Sequence, residues 1–314
     1  MAGIVTYDGL HWDDVERGLN KVVWTTTTTV YDWAKRIWGA SRGVKTWEWR
    51  GRSLAGLPLA GPWLGEGDEV QVSGGNSRFR LTAHMGYCGN RIAYTYKRKK
   101  HDPYDLLKGL AAGLKPSILN LRNKYAIAKL CGGFSGTWGT DLKITEPQFS
   151  DVHTYDPRYV GGGLYWSNII SGAMSQSTIG DAVNLLINQR DDLGNPLNLN
   201  PDLLICATTK GMDARQALGF PGRSAKSPDS ANDLPNRLGE YDITVLPCPL
   251  IDDFDSNMWF VADSSQMRQY LNWNDNPAFE SWMNDTNNKT TLQTAISGFM
   301  AWLTDCRGMV ASQG

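Results

Sequence analysis

The chain has 314 residues, 41% of them hydrophobic and 20% charged, enough to bury one large core or two modest ones, which excludes a disordered or fibrous class. Net charge is only -1, but residues 1–131 carry 20 Lys+Arg against 11 Asp+Glu, and residues 132–314 carry 11 against 21. Such a split fits a nucleic-acid face on one part, head-to-tail complementarity between copies of the chain, or an uneven solvated surface.

Residues 1–40 read as an extended arm with small helical pieces. The β-branched run Thr25 to Thr29 favours extended backbone, and Val30, Trp33, Ile37 and Trp38 then recur at helical spacing. An arm with such anchors packs on its own subunit or on a neighbour. In residues 41–96, Trp47 and Trp49 alternate with Thr46, Glu48 and Arg50, and Phe79, Leu81 and Ala83 alternate with Arg78, Arg80 and Thr82. Between them lie Gly56, Pro58, Gly61, Pro62, Gly65, Gly67 and the run Ser73-Gly74-Gly75-Asn76, so the segment predicts a long two-stranded excursion with a glycine-rich tip. A lone ribbon is marginal in water and must lean on something. Trp47, Trp49 and Trp63 are therefore candidate intersubunit anchors, with an ordinary meander inside one domain as the other reading.

Lys97, Arg98, Lys99 and Lys100 follow at once, facing either DNA, an acidic neighbour or plain solvent. Asp102-Pro103 can open a helix, Pro116 predicts a kink or restart, and Ile118, Leu121, Tyr125 and Ala128 form an apolar face that ends at Gly132-Gly133. Gly, Ser, Thr and Tyr dominate residues 132–176 without any phosphate-loop pattern. Thr178 with Asp181 is the expected cap of a helix whose face is Ile179, Val183, Leu186 and Ile187.

Three short apolar runs come next: Pro201 to Thr208, Ile243 to Pro249 and Met258 to Asp263, bounded by Pro, Asp and Asn, as buried strands are. Met212 to Leu218 predicts a helix between the first two, and Gly219 to Tyr241 a loop rich in turn residues. At the end, Phe279 to Ser312 predicts antiparallel strands joined by turns at 284–289 and 305–308.

The order of these elements resembles the major capsid proteins of tailed bacteriophages. In that family a "Pro-x-Leu-Leu-Ile" strand is followed by a helix, a variable loop, a "Val-x-Pro" strand, a "Trp-Phe-x-Ala-Asp" strand and a closing hairpin. Here those are Pro201 to Thr208, Met212 to Leu218, 219–240, Ile243 to Pro247, Trp259 to Asp263 and Phe279 to Ser312. The resemblance implies an α+β, Hong Kong 97-like capsid fold. Its parts would be an N-terminal arm (1–40), an extended β-loop (41–96), a peripheral domain with a spine helix (97–132 and 279–314) and an axial domain (133–278). It also implies a virion subunit assembled in the host cytoplasm into hexamers and pentamers of an icosahedral shell. The implied partners are a portal protein, scaffolding or cementing proteins, and double-stranded DNA held by non-specific contact. An encapsulin-like compartment shell is the neighbouring reading on the same fold.

A reading of another class is a Trp-rich carbohydrate-binding module or hydrolase, since the chain has 13 Trp and 12 Tyr, and Asp252, Asp253, Asp255 and Asp263 cluster in sequence. Against it, the aspartates sit where a turn between strands is expected, and no serine-nucleophile, HExxH or CxxC pattern occurs. The residues thus predict no enzyme, no cofactor and no metal site. Cys88, Cys131, Cys206, Cys248 and Cys306 are scattered, as free thiols of a reducing compartment are, and His11, His84, His101 and His153 are equally dispersed. No apolar run approaches the roughly 18 residues that span a bilayer, so no membrane contact is expected.

Overall fold

The fold is described from a computed structural model for residues 21–22, 30–54, 77–95, 106–137, 139–141, 144–154, 165–218, 238, 241–275, 280–285 and 290–314. In chain order the elements begin with α1 (Trp33–Trp38), β1 (Glu48–Leu54), β2 (Ser77–His84), β3 (Gly86–Thr95) and α2 (Leu106–Cys131). The middle of the chain gives β4 (His153–Thr154), β5 (Tyr165–Trp166), β6 (Ile169–Ile170), α3 (Gln176–Ile187), β7 (Leu203–Ala207) and α4 (Gly211–Leu218). Then come β8 (Thr244–Cys248), α5 (Pro249–Asp252), β9 (Trp259–Ala262), α6 (Ser264–Tyr270), β10 (Leu271–Asp275), β11 (Glu280–Asp285), β12 (Thr290–Leu303) and β13 (Met309–Ser312). The mixture of helices and sheets is the expected α+β class.

The three apolar runs become neighbours in a five-stranded sheet of order β6-β13-β9-β7-β8. β8 runs parallel to β7, and β9 antiparallel to it. Every residue of β7 and β9 is buried, because both faces of this sheet are covered. Leu204, Cys206, Trp259, Val261 and Val310 point to α3 and α4, meeting Ile179, Val183, Leu186, Ala214 and Leu218. Their alternate residues Leu203, Ile205, Phe260, Ala262, Met309 and Ala311 point the other way, onto Ile127 and Leu130 of α2 and onto Phe149. A strand buried on both faces needs apolar residues at every position, which is why these runs are continuous rather than alternating.

β12 is the axis of the second sheet. Over Thr290 to Phe299 it pairs with β3 on one side, while its other side takes β11 over Thr291 to Ile296 and then β10 over Phe299 to Leu303. One end of α2 lies on this sheet through Leu107, Ala111, Leu114 and Ile118 against Tyr94 and Ala295. The Tyr94 hydroxyl donates to Gln293 Oε1 at 2.7 Å inside this contact, and burial pushes its pKa up to about 12. Because its last turns pack under the first sheet, α2 spans both cores, a length of about 39 Å for its 26 residues.

Several expectations change in detail. Pro116 neither ends nor restarts the helix: α2 is assigned through it, and packing on both sides of the proline holds the segment helical. The cap of α3 is Ser175, three residues before the expected Thr178; its Oγ accepts from Thr178 N at 3.2 Å and Thr178 Oγ1 accepts from Ser175 N at 2.9 Å. β11 and β12 form the expected antiparallel pair, but β13 leaves that sheet and joins β9 and β6 in the other. Residues 219–237 of the expected loop, the start at Asp102-Pro103 and the run Thr25 to Thr29 lie outside the described residues.

Candidate assembly surfaces

If copies of this chain tile a shell, as the resemblance implies, the surfaces that matter are those a neighbouring copy can reach. The arm is the first. Asn123 of α2 holds it with both ends of one carboxamide, Oδ1 accepting from Ala34 N at 3.1 Å and Nδ2 donating to the Tyr31 carbonyl at 2.8 Å. Next to it the buried Arg122 guanidinium bridges Asp32 of the arm at 2.7 Å and Asp275 of β10 at 3.1 Å, and lies over the Trp273 ring, 5.1 Å from its centroid. Trp273 Nε1 donates to the Gly39 carbonyl at 2.8 Å, and the Arg42 guanidinium donates to Asn272 Oδ1 and to the Gln269 carbonyl. Residues 31–44 therefore dock on their own subunit, and of the two readings of this part of the arm the structure selects that one.

The ribbon β1–β2 is antiparallel, with Trp49 opposite Ala83. Trp49 does not wait for a neighbour: its ring lies 4.9 Å from that of Trp302 on β12. Gly51 keeps that position open, since a Cβ there would stand 2.4 Å from the indole. The edge of β2 is tied down where Arg80 N donates to Asp141 and Thr82 N to Thr140, both at 2.8 Å. Trp47, by contrast, is 64% exposed and rests only one face on His84, at a 5.4 Å ring separation. Trp63 and the basic cluster Lys97, Arg98, Lys99 and Lys100 lie outside the described residues.

The outer side of α2 was misjudged by sequence reasoning. Of the expected apolar face, Ile118 is buried, but Leu121 and Tyr125 are each 51% exposed, and Arg122 with Asn123 turns inward instead. Leu110 is 42% exposed, and its spacing of 11 and 15 residues from the other two puts all three on one stripe of the helix. No signal in the local sequence could have separated this stripe from a core face.

The aspartates that invited an enzymatic reading have structural work. Burial raises the Asp252 carboxyl's pKa, but hydrogen bonds from Thr208 and Thr209 outweigh it and hold the group below its usual range; Thr208 N donates at 2.9 Å. Asp263 caps α6 and is lowered likewise, by Ser265, Asn200 and Gln266 against the effect of burial. Asp253 faces Lys124 at 3.5 Å on the surface, and Asp255 accepts from Asn257 N at 2.9 Å. Among the described residues no group of His, Cys, Asp and Glu is arranged to hold a metal ion, and no helix is long and apolar enough to cross a membrane.

The model of a phage capsid protein family matches residues 87–312, from β3 through both sheets to β13. No curated protein sequence matches the chain. Solved structures share the fold at low identity. A solved structure from Mycobacterium phage Patience superposes with a TM-score of 0.54 at 10% identity, covering 98% of this chain and 90% of its own. The capsid of a native GTA particle, computed with C5 symmetry, gives 0.53 at 11% identity and 91% of each chain. A virus-like particle from Pyrococcus furiosus gives 0.51 at 8% identity, covering 96% of this chain and 100% of that one. With the family model spanning both sheets, the long helix and the C-terminal strands, this chain belongs to the phage capsid protein family and is a structural subunit of a capsid shell.

Proposed function

We propose that this chain is the major head subunit of a tailed phage, tiling an icosahedral shell of hexamers and pentamers around double-stranded DNA. The family match over residues 87–312 carries the reading. Support for many-copy assembly comes from the apolar stripe Leu110, Leu121 and Tyr125 and from Trp47, large apolar side chains left open beside a well-filled core. Weak contacts of this kind gain strength when each subunit meets several neighbours at once. A portal protein and scaffolding or cementing proteins are the further partners this role needs, with the virion as the final location.

The proposed division of labour follows the arm, the extended loop, a peripheral unit and an axial unit, at 1–40, 41–96, 97–132 with 279–314, and 133–278. Two strands trade places across it: β10 pairs in the peripheral sheet and β13 in the axial one. Electron cryo-microscopy of the purified full-length protein tests the main reading. Closed particles with icosahedral symmetry are expected, alone or with a co-expressed scaffold; a monodisperse monomer under both conditions would sink it. An encapsulin-like compartment shell on the same fold is the second reading. Packaged DNA in particles from the native source separates the first reading from protein cargo, which marks the second.

The basic cluster gives a further expected result. With Lys97, Arg98, Lys99 and Lys100 all changed to Gln, empty shells should form nearly as before while DNA-filled heads lose stability, a difference that shrinks as salt rises. Weakened assembly of empty shells would place the cluster against an acidic neighbour instead. Assembly yield at two salt concentrations reads out the choice.

A further inference from the structure

His153 of β4, Cys306 in the turn between β12 and β13, and Asn168 between β5 and β6 meet in one buried place. Asn168 Nδ2 donates to the carbonyls of Gln148 at 2.8 Å and Cys306 at 3.1 Å, so its Oδ1 is the acceptor on the other side. That oxygen takes Ser150 N and stands 2.9 Å from His153 Nε2. The tautomer is thereby fixed: Nε2 carries a hydrogen and donates to Asn168. Nδ1 faces Cys306 Sγ at 3.8 Å and Glu146 Oε2 at 3.7 Å, while the ring stacks on Trp166 with centroids 4.4 Å apart.

The groups around the pair favour a charged imidazole. Glu146 is held by Thr154 Oγ1, which donates to Oε1 at 2.8 Å. Arg307 lies 5.2 Å from the centroid of the Trp166 ring, neutralised by Asp192 and Asp305. The Tyr270 hydroxyl, pushed up to about 12 mainly by burial, stays uncharged. Burial alone would lower the imidazole's pKa, but Cys306 foremost, then Glu146 and Asn168, raise it to about 10.

We propose that Cys306, His153 and Asn168 form a nucleophilic thiol site that exchanges with small neutral disulfides. The same order of groups serves cysteine hydrolases. Here Cys306 is 7% exposed, buried enough that only a small reagent, not a polypeptide, is a candidate partner. With the thiol proton on His153 Nδ1, Sγ attacks one sulfur of the disulfide. A new S–S bond joins Cys306 to that half, the old S–S bond breaks, and the departing thiolate takes the proton from Nδ1. Nothing in this step depends on the shell reading.

The five free cysteines supply their own controls. Cys131 is 6% exposed, matching Cys306, but among the described residues no histidine partners it and burial pushes its thiol up to about 12. Cys88 is more open, and burial raises its pKa as well. Full-length protein is treated with hydroxyethyl disulfide and each cysteine is followed by peptide mass spectrometry. At about pH 7, Cys306 should react about 100-fold faster than Cys131, and faster than Cys88. His153→Gln keeps an amide donor for Asn168 and should drop Cys306 to the rate of Cys131 while Cys88 is unchanged. A Cys306 rate equal to that of Cys131 in the unsubstituted protein, or one unchanged by His153→Gln in a folded variant, overturns the proposal. Should the variant unfold, seen as all five cysteines reacting together, the comparison of Cys306 with Cys131 in the unsubstituted protein decides by itself.

Discussion

Replacing Arg307 by Met is expected to cost the unassembled subunit about 3–5 kcal/mol of folding stability, read from the urea midpoint. The guanidinium is buried between Asp192 at 2.7 Å and Asp305 at 2.8 Å, with side-chain exposures of 3%, 1% and 12%. It pins the turn before β13 to the segment after α3, while Gln189 from the same segment takes Gly308 N at 2.8 Å. Methionine fills much of the volume, so packing loss is small and the cost is that of two carboxylates deprived of their buried cation. Asp192 would lose its cation in a place with almost no water. Asp192→Asn in the Arg307→Met background should therefore return part of the loss, although each change alone is destabilising. If the two losses simply add, the stranded charge is not the cause and the effect lies in packing.

The second large effect concerns assembly rather than folding. Leu121→Glu combined with Tyr125→Glu should leave a folded subunit that forms no shells. Both side chains are half exposed on α2, so the monomer loses little when they become charged, apart from the edge contact of Tyr125 with Phe299 at 5.4 Å. In a shell the same stripe would face a second copy. Two carboxylates desolvated at every such contact are penalised by several kcal/mol each time, and the penalty recurs over the whole lattice. Circular dichroism and the urea midpoint monitor the fold, and sedimentation monitors the particle. Normal particles from this variant would mean that the stripe stays in solvent and that contacts elsewhere build the shell.

The sequence by itself determined the elements whose environment is uniform along their length. β7, β8 and β9 are legible because both faces of their sheet are covered, leaving an unbroken apolar run that needs no partner to be recognised. The helix α4 and the antiparallel pair β11–β12 followed from local pattern in the same way. On these the family resemblance rested, and the family match over residues 87–312 agrees with it.

What only the tertiary structure decided are the choices made by residues distant in the chain. Local periodicity placed Leu121 and Tyr125 in the core of α2, but Arg122 goes inward because Asp32 and Asp275, separated from it by 90 and 153 positions, supply the opposite charge. β3 was not singled out as a strand, for Gly86, Gly89 and Asn90 break its alternation; its ten-residue pairing with β12 supplies what propensity does not. β13 reads as the end of a hairpin, yet its pairing with β9 turns Val310 and Ala311 to opposite covered faces of the first sheet. Likewise nothing at His153 announces a thiol 153 positions away. A periodic pattern records how a segment meets a surface; which surface, and which charge waits there, is settled by loop closure and by the pairing of buried charges, neither of which is local.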